Sequence, residues 1–341
     1  MSSRELLVRA VRSRSGRTRA PVFLLGCVRS GTTLLYHMLL SSGGFAVYRS
    51  ESNAINLLEP RFGDLSVRRN RERLVEAWLS SKLFRRSGLD AEAIKAKILS
   101  ECRNGGDFLC IVMAEIARSQ GVERWADCTP EHLLHLARIK ETIPDALIVH
   151  IIRDGRDVAL SLEKQNWIRP FPWDRQHPLL ASGLYWEWMV RKGRDGGRRL
   201  GDDYCEVRFE ELIQSPRSVL SRLGQFIAHD LDYNRIRETG IGSVSEPNTS
   251  FKSENVRGEF NPVGRWRNGI PTEELKLLEA LTGGTLRELG YPLAFGDEST
   301  PNRPDFRRMR SLYLHYFDLK LWLKAKTPLG RFFVTRSLSW L

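Results

Sequence analysis

Continuous apolar runs alternate with longer segments of helical periodicity along most of the chain. The clearest runs are 22–25 and 146–152, which are rich in Val, Ile and Leu and are followed by turn residues. Apolar sequence that is continuous rather than alternating is typical of strands in a parallel sheet covered on both faces. Shorter runs at 45–48, 125–127 and 204–207 predict three further strands.

The segments between these runs have the periodicity of helices. Helices are predicted at 32–42, over most of 56–120, and at 129–142, 156–164, 179–199 and 216–228. Regular alternation of strands with helices predicts the α/β class, with a P-loop-like doubly wound parallel sheet flanked by helices. Two segments rich in Pro, Gly, Ser or Asn, 166–178 and 241–268, are predicted to be surface loops.

This pattern divides the 341 residues into three parts. Residues 1–20 contain six arginines and little apolar sequence, which predicts a basic flexible arm. Residues 21–295 are predicted to form a single α/β domain. Residues 296–341 mix aromatic with basic residues and predict a helical extension.

The turn after the first strand carries candidate chemistry. The spacing Gly26-x4-Gly31 matches a phosphate-binding loop, in which backbone N–H groups and a helix N-terminus face an anion. The usual Gly-Lys-Ser/Thr ending is missing, because Thr32 stands where the lysine is expected and Arg29 lies inside the loop instead. A loop of this kind suits a nucleotide whose terminal group leaves without help from a metal ion.

A second strand–turn–helix unit adds another anion site. Arg153 ends the 146–152 strand, and Ser161 follows eight residues later, two turns into the next helix. A guanidinium and a hydroxyl are suited to hold a phosphate. Two phosphate sites at one edge of a sheet indicate a nucleotide that carries phosphate at both ends of its ribose.

These two segments together resemble the sulfotransferases that use 3′-phosphoadenosine 5′-phosphosulfate (PAPS). The similarity is greatest, in the style of the motifs, to the tyrosylprotein sulfotransferases and their bacterial relatives. It rests on 28–34 and 152–161, with further matches at 127–133, 207–212 and 263–268, and it covers about 21–292. The resemblance implies a PAPS-binding set of Arg29, Ser30, Gly31, Thr32, Thr33, Leu34, Arg153, Ser161 and Arg265.

The resemblance also implies catalytic roles. The first motif would hold the 5′-phosphosulfate with Arg29 among its donors, and Arg153 with Ser161 would hold the 3′-phosphate. Glu51 takes the place of the glutamate that acts as general base in the tyrosylprotein branch. PAPS is the expected co-substrate, and no metal site is expected. The family commonly has a lysine where this chain has Cys128, and Arg265 and Lys252 are the candidates to supply the missing positive charge.

The net charge of +12 is confined to the two ends of the chain. Residues 1–20 contribute +5 and residues 302–341 contribute +7, so the sequence between them is formally neutral. A nucleic-acid enzyme usually has its basic surface on the folded body, so nucleic acid is not an expected partner. Basic ends favour peripheral contact with an anionic surface such as a membrane.

Five cysteines, with no Cys-x-x-Cys pair, predict neither a disulfide framework nor a zinc site and favour a reducing compartment. No apolar run reaches 18 residues, so no transmembrane helix is expected. The basic N-terminus lacks the apolar core of a signal peptide. We interpret the chain as a cytoplasmic protein of bacterial origin. Peripheral contact with a membrane is compatible with this interpretation.

Other interpretations remain open at this stage. The chain could be a P-loop kinase or NTPase, or a catalytically weak nucleotide-binding member of the same fold, for which Cys128 is the best support. Glu51 could pair with Arg49, and His132 and His135 could be packing residues. Cys27 lies in a predicted positive field that would favour a reactive thiol, but a small packing residue is the preferred interpretation. Trp322, Phe332, Phe333 and Trp340 could pack on the core or contact a membrane. The acceptor hydroxyl could belong to a tyrosine, a glycan, a lipid or a small molecule.

Overall fold

The computed structural model describes residues 16–245, 261–296 and 304–327. Most of the predicted N-terminal arm, the candidate cation Lys252, and the aromatic residues Phe332, Phe333 and Trp340 lie outside these ranges.

A four-stranded parallel sheet forms the centre of the fold. Its strands are β1 (Val22–Leu25), β2 (Ala126–Asp127), β3 (Leu147–Ile152) and β4 (Tyr204–Arg208), in the spatial order β2-β1-β3-β4. In register, Val22 lies beside Ala126 on one side and Leu147 on the other. All pairings are parallel, so the carboxyl ends of the strands meet at one edge of the sheet.

Helices surround this sheet. The first half of the described chain contains α1 (Thr32–Ser41), α2 (Glu59–Phe62), α3 (Arg68–Leu79), α4 (Lys82–Ser87), α5 (Ala91–Glu101), α6 (Gly105–Ser119) and α7 (Leu136–Thr142). The second half contains α8 (Gly155–Lys164), α9 (Pro178–Gly197), α10 (Phe209–Gln214), α11 (Pro216–Ile227), α12 (Tyr233–Thr239), α13 (Trp266–Gly269), α14 (Thr272–Glu288) and α15 (Pro304–Lys326). Short 3-10 turns occur at Pro130–His135, Pro172–Asp174, Arg198–Asp203 and Gly242–Val244, and a π-helical turn occurs at Ala54–Leu58.

Alternate residues of the strands point into two separate apolar cores. Phe23 and Leu25 of β1 pack in one core, whereas Val22 and Leu24 pack in the other. Both faces of the sheet are therefore covered, which explains why these strands are apolar without alternation. The prediction of an α/β, doubly wound parallel sheet is confirmed.

The predicted strand at 45–48 is wrong. Only Phe45 forms a bridge, to Arg124, and the backbone N–H of Ala46 donates to the Arg124 carbonyl at 2.7 Å. Beyond that point the backbone pairs with side chains instead: both polar groups of Val47 bond the amide of Gln120. The apolar sequence indicated burial correctly, but side chains take the place of a neighbouring strand.

The predicted helix at 129–142 is two elements. A 3-10 turn covers Pro130–His135, and α7 begins only at Leu136. His135 between them departs from helical geometry, with φ −124° and ψ 25°. Within the 3-10 turn, His132 faces inward and contacts Asp127.

The helix α15 packs on α9. Tyr313 and Phe317 are buried, and Trp188 donates its indole N–H to Asp318 at 2.9 Å. Arg310 forms an ion pair of 2.7 Å with Glu187, whose side chain is buried. The described part of the predicted extension is therefore fixed to the body of the protein, while the division at residue 295 stays a prediction.

Candidate functional site

The two turns that carry the sequence motifs lie in direct contact. They follow β1 and β3, which are neighbours in the sheet. Arg29 donates from Nε to Ser161 Oγ at 2.9 Å, and Arg153 donates from Nη1 to the Arg29 carbonyl at 3.0 Å. Side chains separated by 132 positions in the sequence therefore form one cluster.

The first turn requires special backbone geometry. Arg29 has φ 74° and Gly31 has φ 96°, both in the left-handed region. A Cβ on Gly31 would lie 2.4 Å from the ring of Phe209, so that close approach favours glycine. No side chain caps the N-terminus of α1, which begins at Thr32. Its first N–H groups have no partner within the helix, and the residues that carry them, Thr32, Thr33 and Leu34, line the cavity described below, as in helix-terminal anion sites.

A cavity of about 350 Å³ opens over these turns. Of the residues predicted to bind the nucleotide, it is lined by Arg29, Gly31, Thr32, Thr33, Leu34, Arg153, Ser161 and Arg265. Ser30 is buried and is not among the residues that line the cavity. Phe209, Ile213 and Val244 add an apolar wall that the sequence did not identify.

Some buried polar atoms at this site lack a hydrogen-bond partner among the described residues. They include Ser30 Oγ and Arg153 Nε. Buried polar groups are almost always paired in folded proteins. An orphaned guanidinium nitrogen beside an open cavity is suited to an anionic ligand.

Two arginines close together make the site positive. Burial lowers the pKa of Arg29, and the charge of Arg153 lowers it further. Burial also lowers the pKa of Arg153, although the carboxylates of Asp157 and Glu210 oppose this effect. Both groups remain cationic at neutral pH, since free guanidinium titrates far above it. Their mutual repulsion would be relieved by a bound anion.

Within the second motif, the charged residues have different tasks. Arg153 faces the cavity, whereas Arg156 points away from it into the core. Arg156 pairs with Asp154 at 2.7 Å and with Glu279 at 2.6 Å, and its guanidinium lies 3.7 Å from the ring centre of Trp266. This buried network joins the turn after β3 to α14.

Asp157 connects the same motif to the late segment around Trp266. Its carboxylate accepts the backbone N–H of Gly264 at 2.8 Å and that of Trp266 at 2.9 Å. The late segment carries Arg265 into the cavity lining. Asp157 therefore fixes one wall of the cavity. The sequence analysis missed this role, although the position of Asp157 in the Arg-Asp-Gly-Arg-Asp run could have drawn attention to it.

Glu51 is exposed and is not among the residues lining this cavity. It lies close enough to Cys128 for its charge to raise the pKa of that thiol. The segment 52–55 that follows Glu51 is held by hydrogen bonds to the residues after β2.

A buried polar network holds that backbone. Thr129 Oγ1 donates to Asp127 at 3.1 Å, so it accepts from the Asn53 N–H at 3.3 Å and from Ser52 Oγ at 3.2 Å. His132 Nε2 accepts the Ile55 N–H at 3.2 Å, which leaves the proton on Nδ1 to be donated to Asp127 at 2.9 Å. His132 thus positions the backbone next to Glu51. The sequence Asp-Cys-Thr-Pro-Glu-His, in which it follows Asp127 by five residues, is the pattern that could have indicated this role.

The two cysteines that the sequence singled out are buried. Cys27 is fully buried, and burial raises the pKa of its thiol above the usual range, which agrees with the preferred interpretation of a packing residue and not with a reactive thiol. Burial, together with the charges of Asp127 and Glu51, raises the pKa of Cys128 well above its usual range. Cys128 is therefore neutral and cannot replace a cation.

A second cavity of about 300 Å³ lies beside the first turn. We call it the aromatic cavity, because five aromatic side chains contribute to its lining; they are Trp167, Tyr185, Trp188, Tyr316 and Phe317, and the charged residues Glu131, Lys320 and Lys324 also line it. Trp167 connects the two cavities, because the Arg29 guanidinium lies 5.6 Å from its ring centre. Burial raises the pKa of Tyr185, and the nearby groups Glu131 and Cys27 raise it further.

Within the described ranges, no group of three or more His, Cys, Asp or Glu side chains is arranged to hold a metal ion. The same residues include no helix long and apolar enough to span a membrane.

Comparisons with known proteins identify similar sequences and structures. A sequence model of the sulfotransferase family matches residues 21–233. The protein-tyrosine sulfotransferase A of Caenorhabditis elegans is 24% identical over 290 residues, which are 83% of this chain and 70% of that protein.

Among solved structures, the sulfotransferase domain of the Synechococcus PCC 7002 olefin synthase is similar, with a TM-score of 0.54 and 20% identity. That match covers 80% of this chain and 95% of the domain. The sulfotransferase domain from the curacin biosynthetic pathway has a TM-score of 0.49 and 14% identity, over 80% of this chain and 98% of that domain.

Proposed function

The chain belongs to the sulfotransferase family, and from this premise we propose that it transfers a sulfuryl group from PAPS to the hydroxyl of an acceptor. The observation that carries the proposal is the contact between the two anion-binding turns, Arg29 with Ser161 and Arg153 with the Arg29 carbonyl. One nucleotide with phosphate on both sides of its ribose could touch both turns at once.

The residues present fit such a donor. The N-terminus of α1 and the side chains of Arg29, Thr32 and Thr33 would face the 5′-phosphosulfate. The unpaired Arg153 Nε supports a role for that arginine at the 3′-phosphate. Arg265, in the lining of the same cavity, would add positive charge where the neutral Cys128 provides none.

The proposed reaction is an in-line displacement at sulfur. The acceptor oxygen forms a bond to sulfur while the bond between sulfur and the bridging oxygen of the 5′-phosphate breaks. The hydroxyl proton passes to the carboxylate of Glu51, and the leaving phosphate retains the electron pair as 3′,5′-adenosine bisphosphate. Arg29 and the N–H groups of α1 would stabilise the charge that develops on the leaving oxygen.

The aromatic cavity supports a location for the acceptor. It adjoins the first turn through Trp167 and has both apolar walls and charged groups at its rim. We propose that the acceptor lies there, with its hydroxyl directed toward Arg29. A tyrosine, a lipid or another hydroxyl compound with an apolar body would suit these walls better than a purely polar glycan.

A kinase or NTPase is the alternative. It calls for a lysine after Gly31 and a carboxylate at the end of β3, but those positions are occupied by Thr32 and Arg153. A catalytically weak member of the family is favoured by one observation, the neutral Cys128 in place of a lysine. Such a protein would bind the bisphosphate and transfer little sulfate.

The direct test is transfer of labelled sulfate from PAPS to an extract of candidate acceptors, without added metal. We expect labelled product from the full chain. Arg153→Ala should weaken binding of 3′,5′-adenosine bisphosphate by about 10- to 100-fold, because it removes a hydrogen bond to a charged group. Arg29→Ala should weaken binding and also lower the transfer rate. Calorimetry and the transfer assay measure the two effects.

Arg198→Ala is the matched control, since that arginine is 67% exposed and pairs with Asp195 on the surface. If Arg29→Ala and Arg153→Ala both bind the bisphosphate as the unmodified chain does, these residues do not hold the donor. If ATP is hydrolysed only with Mg²⁺ and PAPS is not used, the alternative function is correct. Tight bisphosphate binding without transfer to any acceptor would indicate the weak member.

Asp157→Ala should loosen the late segment and weaken donor binding by about tenfold or more. The variant loses two hydrogen bonds from backbone N–H groups to a carboxylate, each worth about 1.5–3 kcal/mol. Titration calorimetry with the bisphosphate measures the change. Asp195→Ala, which removes an exposed carboxylate, should bind normally. Unchanged affinity in Asp157→Ala would mean that the late segment does not contribute to the donor site.

A further inference from the structure

One face of α15 exposes a continuous apolar stripe. Leu312, Tyr316, Leu319 and Trp322 are 50%, 40%, 54% and 55% exposed, respectively. Their spacing of three or four residues places them on one side of the helix. We call these four residues the α15 stripe.

The orientation of this stripe is fixed by the opposite face of the helix. Phe317 is buried against Tyr185 and Trp188 of α9, and Tyr313 is buried and donates to Asp174 at 2.7 Å. Arg310 and Lys324 pair with Glu187 and Glu131 of the body. The helix therefore cannot turn its exposed apolar side inward without breaking two ion pairs and a buried aromatic contact.

The apolar surface continues from the helix onto a neighbouring loop. Trp173 is 73% exposed and stacks on Phe171 with ring centres 4.6 Å apart and planes 10° from parallel. Phe171 in turn contacts the ring of Tyr316 at 4.9 Å. Two exposed tryptophans and three other apolar or aromatic side chains thus belong to one surface, which is unusual for a protein face that only meets water.

Basic groups accompany this surface. Arg307, Arg308 and Lys320 are exposed side chains of the same helix. The sequence from 302 to 341 has a formal charge of +7, whereas the sequence from 21 to 301 is neutral. Tryptophan beside lysine and arginine is the composition of segments that lie in the interface of an anionic bilayer.

A second copy of the chain fits this surface less well. In a symmetric dimer the two stripes would meet with their own basic groups beside each other, and like charges would repel. Four side chains on one helix are also few for a stable interface, which usually buries about 800 Å² on each partner. An anionic lipid surface matches both the apolar stripe and its charge.

We propose that the α15 stripe, together with Trp173, docks this protein on the surface of a membrane that contains anionic phospholipid. The helix lies parallel to the surface, with the stripe among the acyl chains and the basic groups at the phosphates. Tyr316 and Lys320 also line the aromatic cavity, so that cavity opens beside the docked face. An amphiphilic molecule could pass from the bilayer into it.

Vesicle co-sedimentation tests the proposal with the full chain and no nucleotide. Vesicles of phosphatidylcholine with phosphatidylglycerol should bind the protein, while phosphatidylcholine alone should bind it weakly. The triple variant Leu312→Ser/Leu319→Ser/Trp322→Ser should bind at least tenfold less, since it replaces three of the apolar side chains that would leave water for the acyl chains. Val67→Ser is the matched control, because Val67 is 47% exposed and lies outside this surface.

Three results would overturn the proposal. The triple variant could bind vesicles as tightly as the unmodified chain, which would assign binding to the basic ends alone. The unmodified chain could fail to bind anionic vesicles at all. Light scattering could show a dimer that the triple variant converts to a monomer, which would assign the stripe to a second copy. Because no donor is present, none of these results depends on sulfuryl transfer.

Discussion

Glu51→Gln should lower the rate of sulfuryl transfer by about 10²- to 10⁴-fold while leaving affinity for 3′,5′-adenosine bisphosphate unchanged. The factor is the usual contribution of a general base that takes a proton in the transition state. Binding should not change, because Glu51 is not among the residues that line the cavity proposed for the donor. Single-turnover transfer assays and calorimetry measure the two quantities separately.

The control for this experiment is Glu92→Gln, which removes the charge of an exposed glutamate near the start of α5. It should transfer sulfate at the normal rate. A Glu51→Gln rate within about tenfold of normal would show that another group accepts the proton. Glu131 would then be the next candidate, since it lines the aromatic cavity. Burial raises the pKa of Glu131, but the charge of Lys324 and the hydrogen bond from Asn56 outweigh burial and hold that pKa below its usual value.

The position of Glu51 shows where sequence reasoning reached its limit. The order of residues placed it after an apolar segment and suggested that a strand would direct it toward the donor. The segment is not a strand beyond Phe45, and the Asp127, Thr129 and His132 network holds it instead. Such a network depends on side chains far apart in sequence, and no local pattern specifies which of them will meet.

The contact between the turns that follow β1 and β3 was, in contrast, predictable. Arg29 follows β1 and Arg153 follows β3, and the carboxyl ends of parallel strands share one edge of a sheet. The sequence could not tell whether β1 and β3 are neighbours, since strand order depends on how the helices cover both faces. The structure resolves this point, and the hydrogen bond from Arg29 to Ser161 results from it.

The charged run of the second motif illustrates a further limit. The sequence analysis assigned Arg153 to an anion and gave no task to Asp154, Arg156 or Asp157. The fold separates them: Arg153 faces the cavity, Arg156 is buried, and Asp157 holds the late segment. Helical geometry accounts for this, because neighbouring positions at the start of α8 point in different directions.

Arg156→Ala should destabilise the protein by about 3–5 kcal/mol, the usual cost of removing one partner from a buried ion pair. The substitution leaves Asp154 and Glu279 without their guanidinium, and Glu279 has no exposed side-chain surface. It also removes the cation beneath the Trp266 ring. Urea denaturation followed by far-UV circular dichroism measures the free energy of unfolding.

Arg198→Ala provides the comparison, because it breaks an arginine–aspartate pair in which both side chains are more than half exposed. Pairs of that kind contribute about 0–1 kcal/mol, so this variant should unfold almost normally. Adding Glu279→Gln to Arg156→Ala should recover part of the loss, since a neutral amide still accepts an N–H from Ala294 or Phe295 without carrying a buried charge. Equal stability of Arg156→Ala and Arg198→Ala would mean that the buried network does not stabilise the join between the turn after β3 and α14.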